Sequence, residues 1–334
     1  MKSYSVAMCT FNGKRFIREQ LLTILNQDPP ATEVIIADDG STDDTMGIVS
    51  ELLEAQQRKQ FVPKIRILPP AGSRLGPTAN FERVLGAANT EVIFLADQDD
   101  IWRRGRAAAA LREFARDSNL LLVSHDARLV DAEGAYLGHT VLSSMRVTAH
   151  ELAMLNGPDA VVPLCRRNVL PGMTFAMDAR LRDIALPLPI GWTHDNWLSF
   201  VAGSTGKLRV IREPNYVDYR QHDGNAVGAG SKAVGRRIQR LFSLPNNALL
   251  LSTAFINANQ RVGTLSLPEK VLAQIAAKAE FERARARLPR GLLERCVEVF
   301  RLMAAGGYQE FGSNGNWNVL RDLIHRRVEE QQPI

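Results

Sequence analysis

The sequence is poor in cysteine and has no long apolar run. Its 334 residues include three cysteines, Cys9, Cys165 and Cys296, which lie far apart and match neither a disulfide framework nor a zinc-binding spacing. No apolar segment approaches the roughly 20 residues that a transmembrane helix needs. The first residues, MKSYSVAMCT, carry no secretory signal. These absences argue against a disulfide-rich secreted protein and a membrane-spanning protein, and we expect a protein of the cytoplasm.

Two nucleotide-binding motifs are also missing. No G-x-G-x-x-G follows a predicted strand, and G-x-x-x-x-G-K-[ST] does not occur. A dinucleotide-dependent dehydrogenase and a P-loop NTPase are therefore not expected. A diphosphate ligand would instead need a metal ion, and the acidic residues described below could hold one.

Basic residues are unevenly distributed along the chain. Residues 231–334 contain 16 Lys and Arg against 9 Asp and Glu, a net charge of +7, whereas residues 1–230 contain 25 against 27, a net charge of −2. Hydrophobic residues make up 45% of the chain and charged residues 23%, which is typical of a globular protein. The charge asymmetry predicts two domains, residues 1–230 and 231–334, with different partners.

The first 126 residues alternate strand-like and helix-like segments. The predicted strands are Tyr4–Cys9, Glu33–Ala37, Lys64–Leu68, Glu91–Ala96 and Leu120–Ser124, and the predicted helices between them are Lys14–Leu25, Asp43–Gln56, Thr78–Ala88 and Gly105–Asp117. This alternation predicts an α/β fold with a mostly parallel sheet that is covered on both faces. In such sheets ligands bind beyond the carboxyl ends of the strands, where we expect the chemistry of this protein.

Three acids follow the fourth predicted strand, in the segment LADQDDIW. Residues two apart in extended backbone point the same way, so Asp97 and Asp99 can converge on one point. Hard oxygen ligands in that position suit Mg²⁺ or Mn²⁺. The alternative is an acidic loop in which Asp100 caps the next helix.

The second strand also ends in acids, in the segment IIADDGSTDDT. Gly40, Ser41 and Asp44 are explained by a tight turn and a helix cap. Asp38 is not, since it ends the strand at the rim of the sheet, where a carboxylate can accept a hydrogen bond from a base N–H or a sugar hydroxyl.

Two later segments carry one candidate each. In GWTHDNWLSF, Asp195 stands near the start of a predicted helix, Asp195–Ala202, and is either its N-cap or a general base. In YRQHDGNAVG, His222 is either a solvated loop residue or a neutral imidazole that completes a carboxylate metal site.

Together these residues resemble family 2 glycosyltransferases, nucleotide-sugar-dependent enzymes with the GT-A fold. The matching segments, in chain order, are TFNGKRFIREQLLTILNQ, VIIADDGSTDDT, NFERVLGAANTEVIFLADQDDIW, Gly172-Met173-Thr174, THDNW and YRQHDGNAVG, within residues 4 to about 228. The DQDDIW segment and the YRQH-x-x-N-x-x-G ending are most similar to rhamnosyltransferases of surface polysaccharide assembly, such as those of O-antigen. The resemblance implies a Rossmann-like catalytic domain over residues 1–230 and a C-terminal helical region.

The resemblance also implies roles for individual residues. Those expected to bind the nucleotide are Thr10, Phe11, Asn12, Asp38, Asp39, Asn80 and Asp97, and Arg74 and Gly76 are candidates to line the same cleft. Asp99, with Asp97 and His222, is expected to hold the metal. Asp195 takes the place of the inverting base. His194 departs from the Glu that many members carry there, and with Trp192 and Thr174 it is assigned to the acceptor side or to the support of Asp195.

The implied activity is transfer of a sugar, with rhamnose the first candidate, from a dTDP- or UDP-sugar to a hydroxyl of a glycan or lipid-linked glycan. A sugar-nucleotidyltransferase is an alternative, but it would need a Gly-rich basic loop where TFNGKRF has one glycine. A non-catalytic nucleotide- or glycan-binding protein is another, and the presence of all the expected acids argues against it. Nucleic acid is not expected as a partner, because the basic tail lacks a recognition motif.

The basic tail contains two amphipathic patterns. Val234, Ile238 and Leu241 share one predicted helix face beside Arg236, Arg237 and Arg240, and Leu320, Leu323, Ile324 and Val328 share another beside His325, Arg326 and Arg327. Such helices can lie on an anionic membrane, here the inner face of the cell membrane, or can form a helical cap or dimer interface.

Overall fold

The computed structural model describes residues 2–57, 63–222, 248–263, 265–313 and 316–324. It contains two compact units. The first consists of residues 1–160, 168–188 and 192–229, and the second of residues 161–167, 189–191 and 230–334. The predicted helix face of Val234, Ile238 and Leu241 lies outside the described residues, as does Val328.

The first unit is built on a seven-stranded sheet. Its strands are β1 (Tyr4–Thr10), β2 (Glu33–Asp38), β3 (Lys64–Ile67), β4 (Val92–Ala96), β6 (Leu122–His125), β9 (Phe175–Asp178) and β10 (Leu208–Ile211), in the order β10-β6-β9-β4-β1-β2-β3. Every neighbouring pair is parallel except those of β9, which runs antiparallel to β4 and β6. The mostly parallel sheet that the sequence predicts is therefore confirmed, and the carboxyl ends of β1, β2, β4, β6 and β10 share one edge.

A smaller sheet and nine helices complete the description of this part of the chain. The smaller sheet has the order β5-β11-β7-β8, with β5 (Ile101–Trp102), β7 (Ala127–Val130), β8 (Tyr136–Thr140) and β11 (Val217–Arg220). The helices are α1 (Ile17–Leu25), α2 (Thr45–Gln57), α3 (Pro77–Ala87), α4 (Arg106–Arg116), α5 (Val141–Ser144), α6 (Ala149–Leu155), α7 (Val161–Arg166), α8 (Ala179–Ala185) and α9 (His194–Ser204), and Gly172–Thr174 forms a 3₁₀ turn. Of these helices, α7 belongs to the second unit.

One core layer packs α1, α2 and α4 against one face of the sheet. Alternate residues of the strands supply it, among them Val92, Phe94 and Ala96 of β4, because successive strand side chains point to opposite faces. Each large apolar side chain buried in this way contributes about 1.5–3 kcal/mol. The layer fixes where β4 ends, and therefore where the acidic segment Asp97–Asp100 begins.

The described residues of the second unit are mostly helical. Besides α7 it contains α10 (Ala248–Val262), α11 (Glu269–Ala286), α12 (Leu292–Ala304), α13 (Gly307–Phe311) and α14 (Asn316–Ile324). Pro268 is the N-cap of α11. Charged side chains form part of its interior: Arg285 donates to Asp322 at 2.6 and 3.0 Å and to Glu282 at 2.7 Å, and Lys278 donates to Glu282 at 2.7 Å. All four side chains are at most 5% exposed.

This network determines the orientation of α14. Asn318 and Asp322 are buried, whereas Trp317, Leu320 and Ile324 are 50%, 40% and 45% exposed. The apolar face of the helix therefore points to solvent. Within the residues that the structure describes, no helix is both long and apolar enough to cross a membrane.

Candidate active site

The acidic segment after β4 lies at the shared carboxyl edge of the sheet. Asp97 and Asp99 are half-buried there. Burial, followed by the charges of Asp99 and Asp195, raises the pKa of Asp97 to about 7. The carboxylates of neighbouring Asp99 and of Asp195, which is distant in the sequence, are thus close enough to Asp97 to disfavour its ionised form.

Asp100 does not cap the next helix. That helix, α4, begins only at Arg106 with Gly105 as its N-cap, because the short strand β5 intervenes. Asp100 is instead 1% exposed. Its Oδ1 accepts from the backbone N–H of Arg220 at 3.2 Å, and its Oδ2 has no hydrogen-bond partner among the described residues.

Two buried guanidinium groups lie under this segment. Arg220 donates to the backbone oxygen of Asp99 at 2.9 Å, and Arg106 packs 3.8 Å from the ring of Trp102. Each is 2% exposed. Burial lowers the pKa of Arg106 to about 9, although the charges of Asp100 and Asp97 oppose this shift. These arginines offset the like charges within the protein, and no sequence motif marks them.

Gln98 joins the acidic segment to the loop after β1. Its side-chain amide donates to the backbone oxygen of Phe11 and accepts from the backbone N–H of the same residue, both at 2.9 Å. A Cβ at Gly13 would lie only 2.1 Å from Oε1 of Gln98. The glycine of the TFNG segment therefore serves this contact, and Gln98 is a third residue, after Arg106 and Arg220, whose contact no sequence motif indicates.

The carboxylate of Asp38 organises the turn after β2. It accepts from the Thr10 hydroxyl at 2.7 Å, from both the hydroxyl and the N–H of Ser41 at 2.6 and 2.8 Å, and from the N–H of Gly40 at 3.1 Å. Gly40 has φ of 85°, which the turn requires. A carboxylate offers about four acceptor positions, so those of Asp38 are used within the chain.

Asp39 faces the start of α3. It accepts from the N–H groups of Leu75 and Gly76 at 2.7 and 2.8 Å, which leaves two acceptor positions. The guanidinium of Arg74 lies 3.8 Å from the Asp39 carboxylate and 3.8 Å from the centroid of the Phe11 ring. Arg74 therefore links Phe11, which follows β1, to Asp39, which follows β2.

Two other nucleotide candidates make contacts within the chain. The side-chain oxygen of Asn12 accepts from the N–H of Thr42 at 2.8 Å. Asn80 is 1% exposed, and its amide donates to the backbone oxygen of Ala37 in β2 at 2.7 Å. Asn80 therefore anchors α3 to the sheet beside the cleft.

Asp195 lies in the first turn of α9, where Thr193 is the N-cap. Its Oδ1 accepts from the Thr193 hydroxyl at 2.5 Å and from the Asn196 N–H at 2.7 Å, and its Oδ2 accepts from Asn168 at 3.0 Å. One acceptor position therefore stays available on Oδ2 among the described residues. The alternative that Asp195 caps the helix is wrong, and Asn168 is a further residue that the sequence analysis did not single out.

His194 supports this helix start by stacking. Its ring lies 3.9 Å from that of Phe81 at an interplanar angle of 20°, and its Nδ1 has no hydrogen-bond partner among the described residues. Burial lowers the pKa of His194, opposed by the charge of Asp195. The imidazole is therefore neutral near pH 7.

The remaining acceptor-side candidates are buried. Thr174 is 3% exposed and shares a hydrogen bond of 2.8 Å with the hydroxyl of Ser124. Trp192 is 6% exposed and packs against Trp197 and Phe200. Both side chains contribute packing around the site.

His222 meets Asp99. Nε2 of the imidazole is 2.8 Å from Oδ2 of the carboxylate, and the ring packs 4.6 Å from that of Phe16. Asp97 does not join them, and the described part of the chain contains no set of three His, Cys, Asp or Glu side chains arranged around one point. Carboxylate oxygens, including the unpartnered Oδ2 of Asp100, nevertheless suit a hard divalent cation.

Comparison with known proteins agrees with this architecture. Residues 5–162 match the family described as Glycosyl transferase family 2. The chain is similar to dTDP-rhamnosyl transferase RfbG of Shigella flexneri, with 27% identity over 236 residues that cover 66% of this chain and 74% of the relative.

Two solved structures share the fold. TarS 1–349 of Staphylococcus aureus in complex with UDP-GlcNAc superposes with a TM-score of 0.59 at 17% identity, covering 96% of this chain and 88% of that chain. The mannosyltransferase PcManGT of Pyrobaculum calidifontis, in complex with GDP-Man and Mn²⁺, gives a TM-score of 0.52 at 19% identity, covering 96% and 84%. The predicted fold class is confirmed.

Proposed function

Since this chain carries a glycosyl transferase family 2 domain and is a glycosyltransferase that uses a nucleotide sugar, we propose that it inverts the anomeric centre of the sugar it transfers. The donor is a dTDP- or UDP-sugar, with rhamnose the first candidate, and the acceptor is a hydroxyl of a glycan or lipid-linked glycan. The observation that carries the proposal is that Asp97 and Asp99 lie at the carboxyl edge of the sheet within electrostatic reach of Asp195: burial, followed by the charges of Asp99 and Asp195, raises the pKa of Asp97 to about 7.

In this proposal Asp195 is the general base. The hydrogen bonds from Thr193, Asn196 and Asn168 fix the carboxylate and leave one acceptor position on Oδ2. That oxygen takes the proton of the acceptor hydroxyl while the hydroxyl oxygen forms a bond to the anomeric carbon. The bond between that carbon and the diphosphate breaks with its electron pair, the nucleoside diphosphate leaves, and the configuration inverts.

The donor lies in the cleft between the loops after β1, β2 and β4. Asp39 keeps two acceptor positions, which suit a base N–H or a ribose hydroxyl, and the exposed Arg74 beside Phe11 suits a base or a phosphate. Asp38 contributes by holding the turn. In this proposal Asp39 and Arg74 bind the donor nucleotide, whereas Asp38 has a structural role.

A divalent cation fits the acids of this cleft. Asp99 and Asp97, with His222 beside Asp99, would hold Mg²⁺ or Mn²⁺, and PcManGT was solved with Mn²⁺. When bound, the ion neutralises charge on the departing diphosphate. Arg106 and Arg220 hold the acidic segment in place from below.

The first test replaces the base. Asp195→Asn keeps the shape of the side chain and removes its basicity, so transfer should fall by at least about 100-fold while nucleoside diphosphate affinity stays within twofold. Asp183→Asn, an exposed carboxylate on α8, is the control and should leave both unchanged. Full turnover of Asp195→Asn would refute the assignment.

The second test concerns the metal and the nucleotide. Asp99→Ala should abolish the Mn²⁺-dependent part of nucleoside diphosphate binding in calorimetry, and unchanged affinity with Mn²⁺ would contradict the metal role. A thermal-shift panel of dTDP, UDP and GDP with their sugars then identifies the donor, because a bound ligand raises the melting temperature. Stabilisation by none of them would refute the proposal.

The partner proposed for the second unit is an anionic membrane, which would keep the enzyme at the cytoplasmic face where lipid-linked acceptors lie. On α12, Leu293, Val297 and Phe300 are 83%, 65% and 54% exposed, spaced four and three residues apart on one helix face. On the adjoining α14, Trp317 and Ile324 are also exposed. We use the name apolar face for six exposed residues of the two helices, Leu293, Val297, Phe300, Trp317, Leu320 and Ile324. Residues 231–334 carry a net charge of +7, which complements anionic lipid at about 1 kcal/mol for each nearby cation.

Liposome co-sedimentation tests this surface. The full chain should bind vesicles containing phosphatidylglycerol and should not bind phosphatidylcholine vesicles. Phe300→Asp should abolish binding, whereas Ile190→Asp, at an 82% exposed position outside the apolar face, should have no effect. No sedimentation of the full chain, with a Phe300-dependent dimer in light scattering, would assign the face to a second copy instead.

A further inference from the structure

A cavity of about 480 Å³ lies beside the edge strand β10, next to α4. It shares none of its lining residues with the candidate active site. Pockets of about 300–1,000 Å³ hold small molecules, so this volume suits one or two sugar rings. The mechanism proposed above does not use it.

A buried histidine lines this cavity. His125 stands at the end of β6 and is 4% exposed. The ring of Tyr216 meets it edge-on, with centroids 5.2 Å apart at 90°. An imidazole in the wall of a cavity can form hydrogen bonds to a ligand that enters it. Burial, followed by the charges of Arg106 and Arg112, lowers the pKa of His125 to about 4, so the neutral ring offers one donor and one acceptor.

The cavity also carries excess positive charge. Of its three arginines, Arg116 pairs with Glu113 at 2.7 Å. Arg112 and Arg209 have no ion-pair partner within the described residues, and both are exposed to an incoming ligand. A guanidinium matches the two oxygens of a carboxylate or phosphate.

The position of the cavity relates it to the catalytic edge. His125 ends β6 and Ile211 ends β10, and these strands run parallel to β4, which ends at the acidic segment. Only β9 separates β6 from β4. With strands about 4.8 Å apart, β6 and β10 lie roughly 10–15 Å from β4. An acceptor glycan a few rings long can span that distance.

We propose that this cavity is a second carbohydrate site, which binds a sugar unit bearing a carboxylate or phosphate at a distance from the hydroxyl that is glycosylated. Arg112 and Arg209 bind the anionic group, and His125 and Glu213 bind sugar hydroxyls. The glycan nature of the ligand rests on the proposed function, whereas the anion preference rests on the cavity alone.

Direct binding tests the site without requiring turnover. Glucuronate and glucose 6-phosphate are titrated into the full chain by NMR or calorimetry, with glucose and inorganic phosphate as comparisons. At least one anionic sugar should bind at least tenfold more tightly than both comparisons. Which of the two binds more tightly distinguishes a carboxylate from a phosphate ligand.

Variants locate the binding. Arg112→Gln and Arg209→Gln should each weaken it by about tenfold, and Arg212→Gln, an exposed arginine outside the cavity lining, should not. Binding of no anionic sugar, equal binding of inorganic phosphate, or insensitivity to both cavity variants would each overturn the proposal. Nucleoside diphosphate affinity, measured on the same samples, reports the donor cleft separately, so loss of one site is distinguishable from loss of the other.

Discussion

Gly172 is a position where the smallest possible substitution, to alanine, should disturb the support of Asp195. A Cβ there would lie 2.8 Å from Nε2 of His194 and 3.3 Å from Cβ of Asp195. Ordinary contact begins at 3.4 Å, so the imidazole in Gly172→Ala must retreat by about 0.6 Å. It cannot retreat freely, because its ring stacks on buried Phe81 at 3.9 Å.

Two effects of different size follow. Overpacking of this kind costs about 1–3 kcal/mol of folding stability. Because His194 immediately precedes Asp195, the shift also moves the carboxylate, and a misplacement of 1 Å can cost on the order of 100-fold in rate. We expect kcat of Gly172→Ala to fall at least tenfold, while the affinity for nucleoside diphosphate stays within twofold because the loops after β1 and β2 are untouched.

Gly86→Ala is the matched control. It makes the same chemical change in α3, where an added Cβ would meet nothing within 4 Å. Alanine should therefore stabilise that helix by up to about 1 kcal/mol. Urea unfolding and steady-state kinetics compare the two variants. Wild-type stability and turnover in Gly172→Ala would refute the reasoning, since the stacked imidazole would then have moved without consequence.

Three further predictions concern stability, each measured by urea unfolding. Gln98→Ala removes both bonds to the backbone of Phe11 and should cost about 1–3 kcal/mol; an unchanged midpoint would mean that the two loops hold each other without it. Asp322→Asn removes one of the two carboxylates that pair with the buried guanidinium of Arg285 and should cost about 3–5 kcal/mol, and a loss below 1 kcal/mol would contradict the buried network. Glu133→Gln, in an ion pair whose side chains are mostly exposed, should cost less than about 0.5 kcal/mol, so a larger loss would show that exposure is a poor guide to these pairs.

The sequence predicts the sheet well because its strands are short apolar runs separated by helix-length segments. The same regularity places Asp38 and Asp97 at strand ends, and parallel strands bring those ends together. It does not reveal β9, which enters the sheet antiparallel from more than 70 residues beyond β4. Nothing in the local pattern of Phe175–Asp178 distinguishes that direction.

The residues that contact the acids of the candidate site could not be predicted from the sequence. Arg220 contacts the backbone of Asp99 from 121 positions away, and Asn168 contacts Asp195 from 27 away. Such pairs depend on tertiary packing and leave no periodic signal. The orientation of α14 follows the same rule, because a distant arginine draws Asp322 inward and turns the apolar residues outward.

The double hydrogen bond of Gln98 has a consequence for how the cleft responds to its ligands. The Gln98 side-chain amide donates to and accepts from the backbone of Phe11, as the backbone of a neighbouring strand would. It therefore links Phe11 to the acidic segment. We therefore expect the loops after β1 and β4 to move together. A nucleobase that shifts Phe11 also shifts Asp97 and Asp99, so exchanging thymine for uracil or guanine should change cation affinity as well as nucleotide affinity.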